Sequence, residues 1–346
     1  MPIIKLNVQL MYCFIVFGPL TCVSRGAGLI EEKRRQDNRK DFDVAVIGSG
    51  YAGLACALVL GRHLVRTIIF DGGSPRNAST RRIHGYLGYE NRSPKDLLRS
   101  GWSSVRQYRS VTPVQGRVTG LSQSVDGSQF AVRVGRMIFR VKYVLIATGV
   151  RDVKPEIDGF DKFDGDGAWH CPYCDGHEAA GKRLAIIVSG DKALSYVKEF
   201  FGWTKDITVF SWNLSLSARD REQAKALGIR IVDDNIHRIT GRAGCGPKRL
   251  FGMADTYDTN VIFYRLGYLP QTELAKQVGC SLSRGYIKVD RNQRTSIPRV
   301  YAAGDVDTDR HLVAMAVAAG SRAAVDIYES LLSEAVRAKI KGHKPG

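Results

Sequence analysis

Beyond its first forty residues the chain reads as short apolar runs set between polar turns. Residues 43–47 make a run brief enough for a buried strand, and a glycine turn then leads into an apolar stretch, 54–60, with helical spacing. A further apolar run, 67–70, ends in Asp71. Residues 94–108 carry a helical pattern, with Ser93 placed to cap it. Alternation over 114–141, broken at Gly116, Gly120, Gly127 and Gly135, predicts a β-meander. Residues 143–147 read as another buried strand, ending in the small turn Thr148-Gly149. Strand, helix and strand then recur at 183–188, 193–201 and 206–210. Later strands are expected at 229–233, 249–253, 261–267 and 299–303, the last closing on Gly304-Asp305 ahead of a helix rich in small residues, 312–332. Strands alternating with helices predict an α/β fold on parallel sheets.

Composition changes this picture in two places. Hydrophobic residues make up 44% and charged residues 25% of 346 residues, which is ordinary and allows two domains with their own cores. The formal net charge of +17 is not ordinary; +4 of it precedes Asp41, so +13 belongs to the rest. A basic body favours an acidic protein partner or an anionic surface. No nucleic-acid module or aromatic-studded basic repeat accompanies the charge, so nucleic acid is not expected. At the amino terminus Lys5 precedes an apolar run over 10–20, and small residues follow near Cys22 and Ser24. The run is short and proline-interrupted, so it predicts a secretory signal over 1–24 and a secretory or extracellular location. An anchored, cytoplasmic or organellar protein is the alternative. Residues 25–41 form a charged linker, and Asn77-Ala78-Ser79 and Asn213-Leu214-Ser215 are formal glycosylation sequons.

Two stretches carry chemistry. The first is Gly48-Ser49-Gly50-Tyr51-Ala52-Gly53 between a strand and a helix. Gly48 permits the tight turn, Gly50 lets backbone approach a pyrophosphate, and Gly53 lets helix pack on strand. Asp71, eighteen residues after Gly53, suits a ribose diol. The turn-rich stretches with Arg76-Asn77 and His84 read as ligand-lining loops, in which Arg76 reaches the pyrophosphate or forms a surface salt bridge. The second stretch is His170-Cys171-Pro172-Tyr173-Cys174-Asp175-Gly176-His177. Two cysteines two residues apart make a two-electron couple, and Asp175, His170 and His177 stand ready to handle protons. Half a zinc site is the plainer alternative, but the other cysteines are isolated, so no metal is expected. In the second strand–helix–strand unit Val188 stands where a dinucleotide turn wants glycine, and Ser211-Trp212-Asn213 stand where basic residues would hold a 2′-phosphate.

Together GSGYAG, Asp71, Ala147-Thr148-Gly149, CPYC with Asp175, and AAGD at 302–305 with Arg310-His311 resemble the thioredoxin-reductase-like class of FAD-dependent pyridine nucleotide-disulfide oxidoreductases. The resemblance covers 42 to about 332. It implies two Rossmann-like, three-layer β/β/α domains. An FAD-binding domain (42–153 and 265–332) would be interrupted by a degenerate NAD(P)-type domain (154–264) carrying the CxxC, with a basic tail at 333–346. It implies FAD, held through Gly48, Gly50, Gly53, Asp71, Arg76, Asn77, His84, Ala147, Thr148, Gly149, Gly304, Asp305, Arg310 and His311, and usually a homodimer. The eroded second turn makes NADP doubtful. The motif is similar to that of the dithiol oxidases of gliotoxin-type metabolites, which pass electrons from a substrate dithiol to FAD and on to oxygen. By that analogy Cys174 attacks the flavin, Cys171 exchanges with substrate, and Asp175 relays protons with help from His170, His177 or His311. The alternatives are a thioredoxin-disulfide reductase fed by NADPH or ferredoxin, acting on a thioredoxin-like protein, and a non-catalytic FAD-binding redox sensor.

Overall fold

The computed structural model describes residues 41–190, 193–212 and 216–342. The signal-like segment, the linker up to residue 40, the second sequon and the end of the basic tail lie outside the described residues, as does part of the turn after residue 190.

The glycine turn does what its spacing predicts. β1 (Asp41–Ile47) passes through it into α1 (Tyr51–Arg62), and the chain returns as β2 (Thr67–Asp71). α2 (Pro94–Arg106) begins on Ser93, whose hydroxyl accepts from the Lys95 amide at 3.1 Å. Pro94 stands in the first turn, where a missing N–H costs nothing. Then come β3 (Val111–Gln115), β4 (Val118–Gln123), β5 (Phe130–Val134), β6 (Met137–Ile146) and the short β7 (Val150–Asp152). β8 (Ala168–Trp169) leads to a one-turn helix, α3 (Pro172–Asp175), which holds the CPYC motif. β9 (Leu184–Val188), α4 (Ala193–Lys198), β10 (Ile207–Ser211), α5 (Ala218–Ala226) and β11 (Arg230–Val232) make the second repeat. β12 (Arg238–Gly241), β13 (Lys248–Phe251) and β14 (Thr256–Thr259) form an antiparallel meander ahead of β15 (Val261–Arg265). β16 (Tyr268–Pro270), α6 (Glu273–Gln277), β17 (Leu282–Ser283), β18 (Tyr286–Ile287), β19 (Val300–Ala302) and α7 (Val313–Gly342) follow.

Two sheets organise these elements, the first mixed and the second parallel. In the first the order is β3-β2-β1-β6-β5-β4, with β19 also on β6. Its faces alternate with period two. Val44, Val46, Ile69 and Leu145 pack toward the helices, while Ala45, Ile47, Ile68 and Phe70 pack toward the β4–β5 meander. Each fully buried aliphatic side chain contributes roughly 1.5–3 kcal/mol. In the second sheet the order is β11-β10-β9-β15-β8, and every pair is parallel. β7 and β16 pair antiparallel, so the chain leaves the first sheet and comes back to it side by side. The α/β class with two Rossmann-like sheets therefore holds.

Two details differ from the expected pattern. The last strand of the meander and the strand expected after it are one ten-residue strand, β6. Its first half pairs with β5 and its second half with β19, and residues 141–143 keep alternating without a breaker. Residues 114–115 belong to β3, which runs parallel to β2, so the meander starts only at β4.

Candidate active site

A cavity of about 730 Å3 opens at the carboxyl end of β1, and most of the residues singled out from the sequence line it. Its floor is the glycine turn. Gly48 has φ +111°, and a Cβ there would meet the Ala147 carbonyl oxygen at 2.2 Å. A Cβ on Gly53 would meet the Gly48 oxygen at 1.9 Å, whereas one on Gly50 would meet nothing within 4 Å. Gly48 and Gly53 thus serve close packing, while Gly50 leaves backbone open to a ligand. Asp71 lines the cavity, and its Oδ1 accepts from the Gly73 amide at 2.8 Å. Thr148 and Gly149 line the cavity wall beside the glycine turn, and the Thr148 hydroxyl donates to the Gln271 carbonyl at 2.7 Å.

The redox pair stands in the same wall. Cys171 and Cys174 form a disulfide with a Cα–Cα distance of 5.3 Å, and both line the cavity. The Cys174 amide donates to Cys171 Sγ at 3.1 Å, which eases negative charge on that sulfur once the bridge opens. Asp175 also lines the cavity and is buried. Burial pushes its carboxyl up to about 7, with the Glu178 charge adding and His84 opposing.

Beside the pair runs a buried charge network. Arg76 donates from Nε and Nη2 to the two oxygens of Asp152 at 2.8 and 2.6 Å, and from Nη1 to Asp305 at 2.8 Å. His170 Nε2 lies 3.8 Å from Asp152. Burial works against the charges of Arg76 and Asp152, but their mutual bonds more than offset it, so Arg76 is raised and Asp152 lowered. The network joins the loop after β2, the end of β7, the CPYC motif and the segment after β19.

The residues fall into three groups. Gly48, Gly50, Asp71, Arg76, Asn77, His84, Ala147, Thr148, Gly149, His170, Cys171, Cys174, Asp175, Gly304, Asp305 and His311 share the cavity wall. Gly53 supports it from beneath. His177 is exposed on the far side of the CPYC turn, and Arg310 is exposed with its guanidinium 6.0 Å from the Tyr173 ring, so neither is among the lining residues. Spacing alone hides this, because a short helical turn sends residues two apart to different sides.

Two roles also change. Arg76 is no surface ion pair, because the half-buried pairing with Asp152 and Asp305 holds it in the cavity wall. Burial pushes His170 down to about 4 despite Asp152, and it lowers His311 as well, so His170 is neutral at neutral pH. Asn77 is half-buried, lines the cavity and donates to the Tyr51 hydroxyl at 3.0 Å, while Ala78 and Ser79 of its sequon are exposed.

The sequence from 42 to 321 matches the pyridine nucleotide-disulphide oxidoreductase family. The chain belongs to that family. One component of the alkyl hydroperoxide reductase of Pseudomonas putida is 27% identical over 306 residues, covering 85% of this chain and 59% of that protein. The chain thus spans little more than half the length of that relative. Thioredoxin reductase of Listeria monocytogenes is 26% identical over 279 residues, 77% of this chain and 86% of that one. Among solved structures, HlmI superposes with a TM-score of 0.82 at 28% identity, over 87% of this chain and 96% of that chain. The thioredoxin reductase of Streptococcus pyogenes gives 0.77 at 25%, over 86% and 100%. This is a thioredoxin-reductase-like oxidoreductase that acts on sulfur.

The cofactor of this family member is FAD. The chain fits it: the Gly50 backbone is uncovered, Asp71 faces the cavity, and about 730 Å3 is in the range of a well-formed ligand site. The second sheet is different. Val188 is fully buried and pairs with Ser211 and Arg265 within the ladder, so the strand continues through the position where a nucleotide turn would begin. Gly190 takes a left-handed φ of +85°. The cavity beside β10 and α4 is apolar and about 10 Å3.

Sequence reasoning missed Asp152 and left Glu178 without a role. Asp152 is 76 residues from its partner Arg76, so no local pattern marks it. Glu178 could have been found, because it follows Asp175 by three residues and helical spacing brings such pairs together.

Proposed function

We propose that the protein is a dithiol oxidase, turning a small substrate dithiol and dioxygen into the disulfide and hydrogen peroxide. The observation that carries this reading is the Cys171–Cys174 disulfide in the wall of the cavity that fits FAD. A substrate thiolate attacks Cys171 Sγ, forming a mixed disulfide and releasing Cys174 as thiolate. The second substrate thiolate then closes the product disulfide and expels Cys171, whose leaving charge the Cys174 amide stabilises. Bound FAD supplies the two-electron acceptor that restores the enzyme disulfide. Asp175, pushed up to about 7, exchanges thiol protons near neutral pH. His170 stays neutral and orients through Asp152.

The likeness to thioredoxin reductases supports a second reading, reduction of a thioredoxin-like protein with electrons from NADPH or ferredoxin. Val188, buried in its ladder, weighs against the NADPH form. Anaerobic titration of the holoprotein separates the readings. A dithiol such as dithiothreitol is expected to bleach the flavin, and NADPH, NADH and reduced ferredoxin are not. Cys171→Ser should keep FAD and lose the dithiol response. Full bleaching of that variant would remove the disulfide from the mechanism.

A further inference from the structure

The cavity explains where thiol protons start but not how they reach water. When Cys171 and Cys174 close to a disulfide, the two thiols give up two electrons and two protons. Both electrons and one proton go to the flavin, so one proton must leave a buried site. Asp175 is at hand to take it, yet its carboxylate makes no side-chain hydrogen bond among the described residues and is 7% exposed.

Next to Asp175 stands a second acid with an unusual feature. Glu178 is three residues on, across the junction of α3 and the following turn, and its Oε2 is buried with no hydrogen-bond partner. Its Oε1 is 3.6 Å from Nε2 of His84, a gap that a small side-chain rotation closes. His84 comes from the loop after β2, far away in sequence, and lines the cavity. Its Nδ1 donates to Glu90 Oε1 at 2.6 Å, and Glu90 Oε2 accepts from the Gly85 amide at 2.8 Å. That pairing fixes the imidazole with its proton on Nδ1 and turns Nε2, as an acceptor, toward Glu178. The Glu90 side chain is 58% exposed.

We propose that Glu178 and His84 form a proton conduit between Asp175 in the cavity and Glu90 at the surface. Asp175 passes its proton to Glu178, and Glu178 passes one to Nε2 of His84. His84 yields its Nδ1 proton to Glu90, and water takes it from there. Each group ends as it began once His84 returns to its starting tautomer, and the path runs backward when the disulfide is opened. The titratable groups that face Asp175 are His84, which lowers it whenever Nε2 also holds a proton, and Glu178, whose negative charge raises it. Those around His84 are Glu90 and Glu178.

The conduit rests on Cys171–Cys174 being the redox couple, and its test is separable from that reading. Holoprotein, Glu178→Gln and His84→Gln are reduced anaerobically with dithiothreitol in stopped flow from about pH 5.5 to about pH 9. Both variants should retain FAD and bleach about tenfold more slowly. Their pH midpoints should move in opposite directions, down for Glu178→Gln and up for His84→Gln. Added imidazole should restore rate to His84→Gln and leave wild type unchanged. Wild-type midpoints in both variants, or slowing without a midpoint shift, would overturn the conduit and leave the residues structural. If wild type does not bleach, the dithiol-oxidation reading fails by itself. The conduit is then read in reverse, from the pH dependence of colour return as photoreduced flavin opens the disulfide in the same three proteins.

Discussion

Asp175 binds its proton far more tightly folded than unfolded, which makes it a stability sensor as well as a reagent. Burial pushes it up to about 7, against roughly 3.9 for an unfolded aspartate. Below about pH 4 both states are protonated and the contribution is fully present; as pH rises toward 7 the unfolded state ionises first, so stability is lost. The ceiling for a three-unit difference is about 4 kcal/mol. Asp307, also pushed up to about 7 by burial, acts with the same sign. Asp175→Asn should therefore melt higher than wild type at pH 8 and match it at about pH 3. A difference between the two proteins that does not vary with pH would mean that the carboxylate is not titrating in this window. At this scale the sequence showed the chemistry wherever it was local. The cysteines, Asp175 and the glycines are neighbours in the chain. What it did not show was environment. His170 was expected to handle protons, but burial pushes it down to about 4, and Arg76 meets Asp152 and Asp305 only in three dimensions.

Among the elements, α1 and α7 control the glycine turn. Gly320 of α7 lies against α1 so closely that a Cβ would meet the Ala52 carbonyl oxygen at 2.0 Å. Backbone cannot yield as a flexible side chain does, so Gly320→Ala must push the helices apart. Ala52 lies within the turn's own motif, two residues after Gly50, so the displacement reaches the phosphate-facing backbone. The expected cost is roughly 1–3 kcal/mol, read as a lower melting temperature and faster loss of FAD absorbance on dilution. Retention of FAD equal to wild type would show that the helix pair is not what holds the turn. The strand–helix–strand units were legible because their apolar runs are bounded by glycine. The extent of β6 was not, because one continuous strand can change partners midway without any change in its own alternation.

For the whole molecule the open quantity is its charge. The sequence showed an excess of cations, but not that the CPYC cysteines share a cavity with the glycine turn, since that depends on packing between distant segments. A net charge of +17 acts at long range and is screened by salt. Its effect depends on what approaches. A neutral small dithiol feels almost no field, so its kcat/KM should stay flat as ionic strength rises from about 0.01 M to about 0.3 M, a range over which the Debye length falls from about 30 Å to below about 8 Å. An acidic thioredoxin-like protein is steered by the same field, and its kcat/KM should fall about tenfold or more over that range. Measuring both on one preparation tells which partner the surface is built for. A flat response with the acidic protein would mean that the positive charge lies away from the cavity mouth and that association with the redox site is not electrostatically guided.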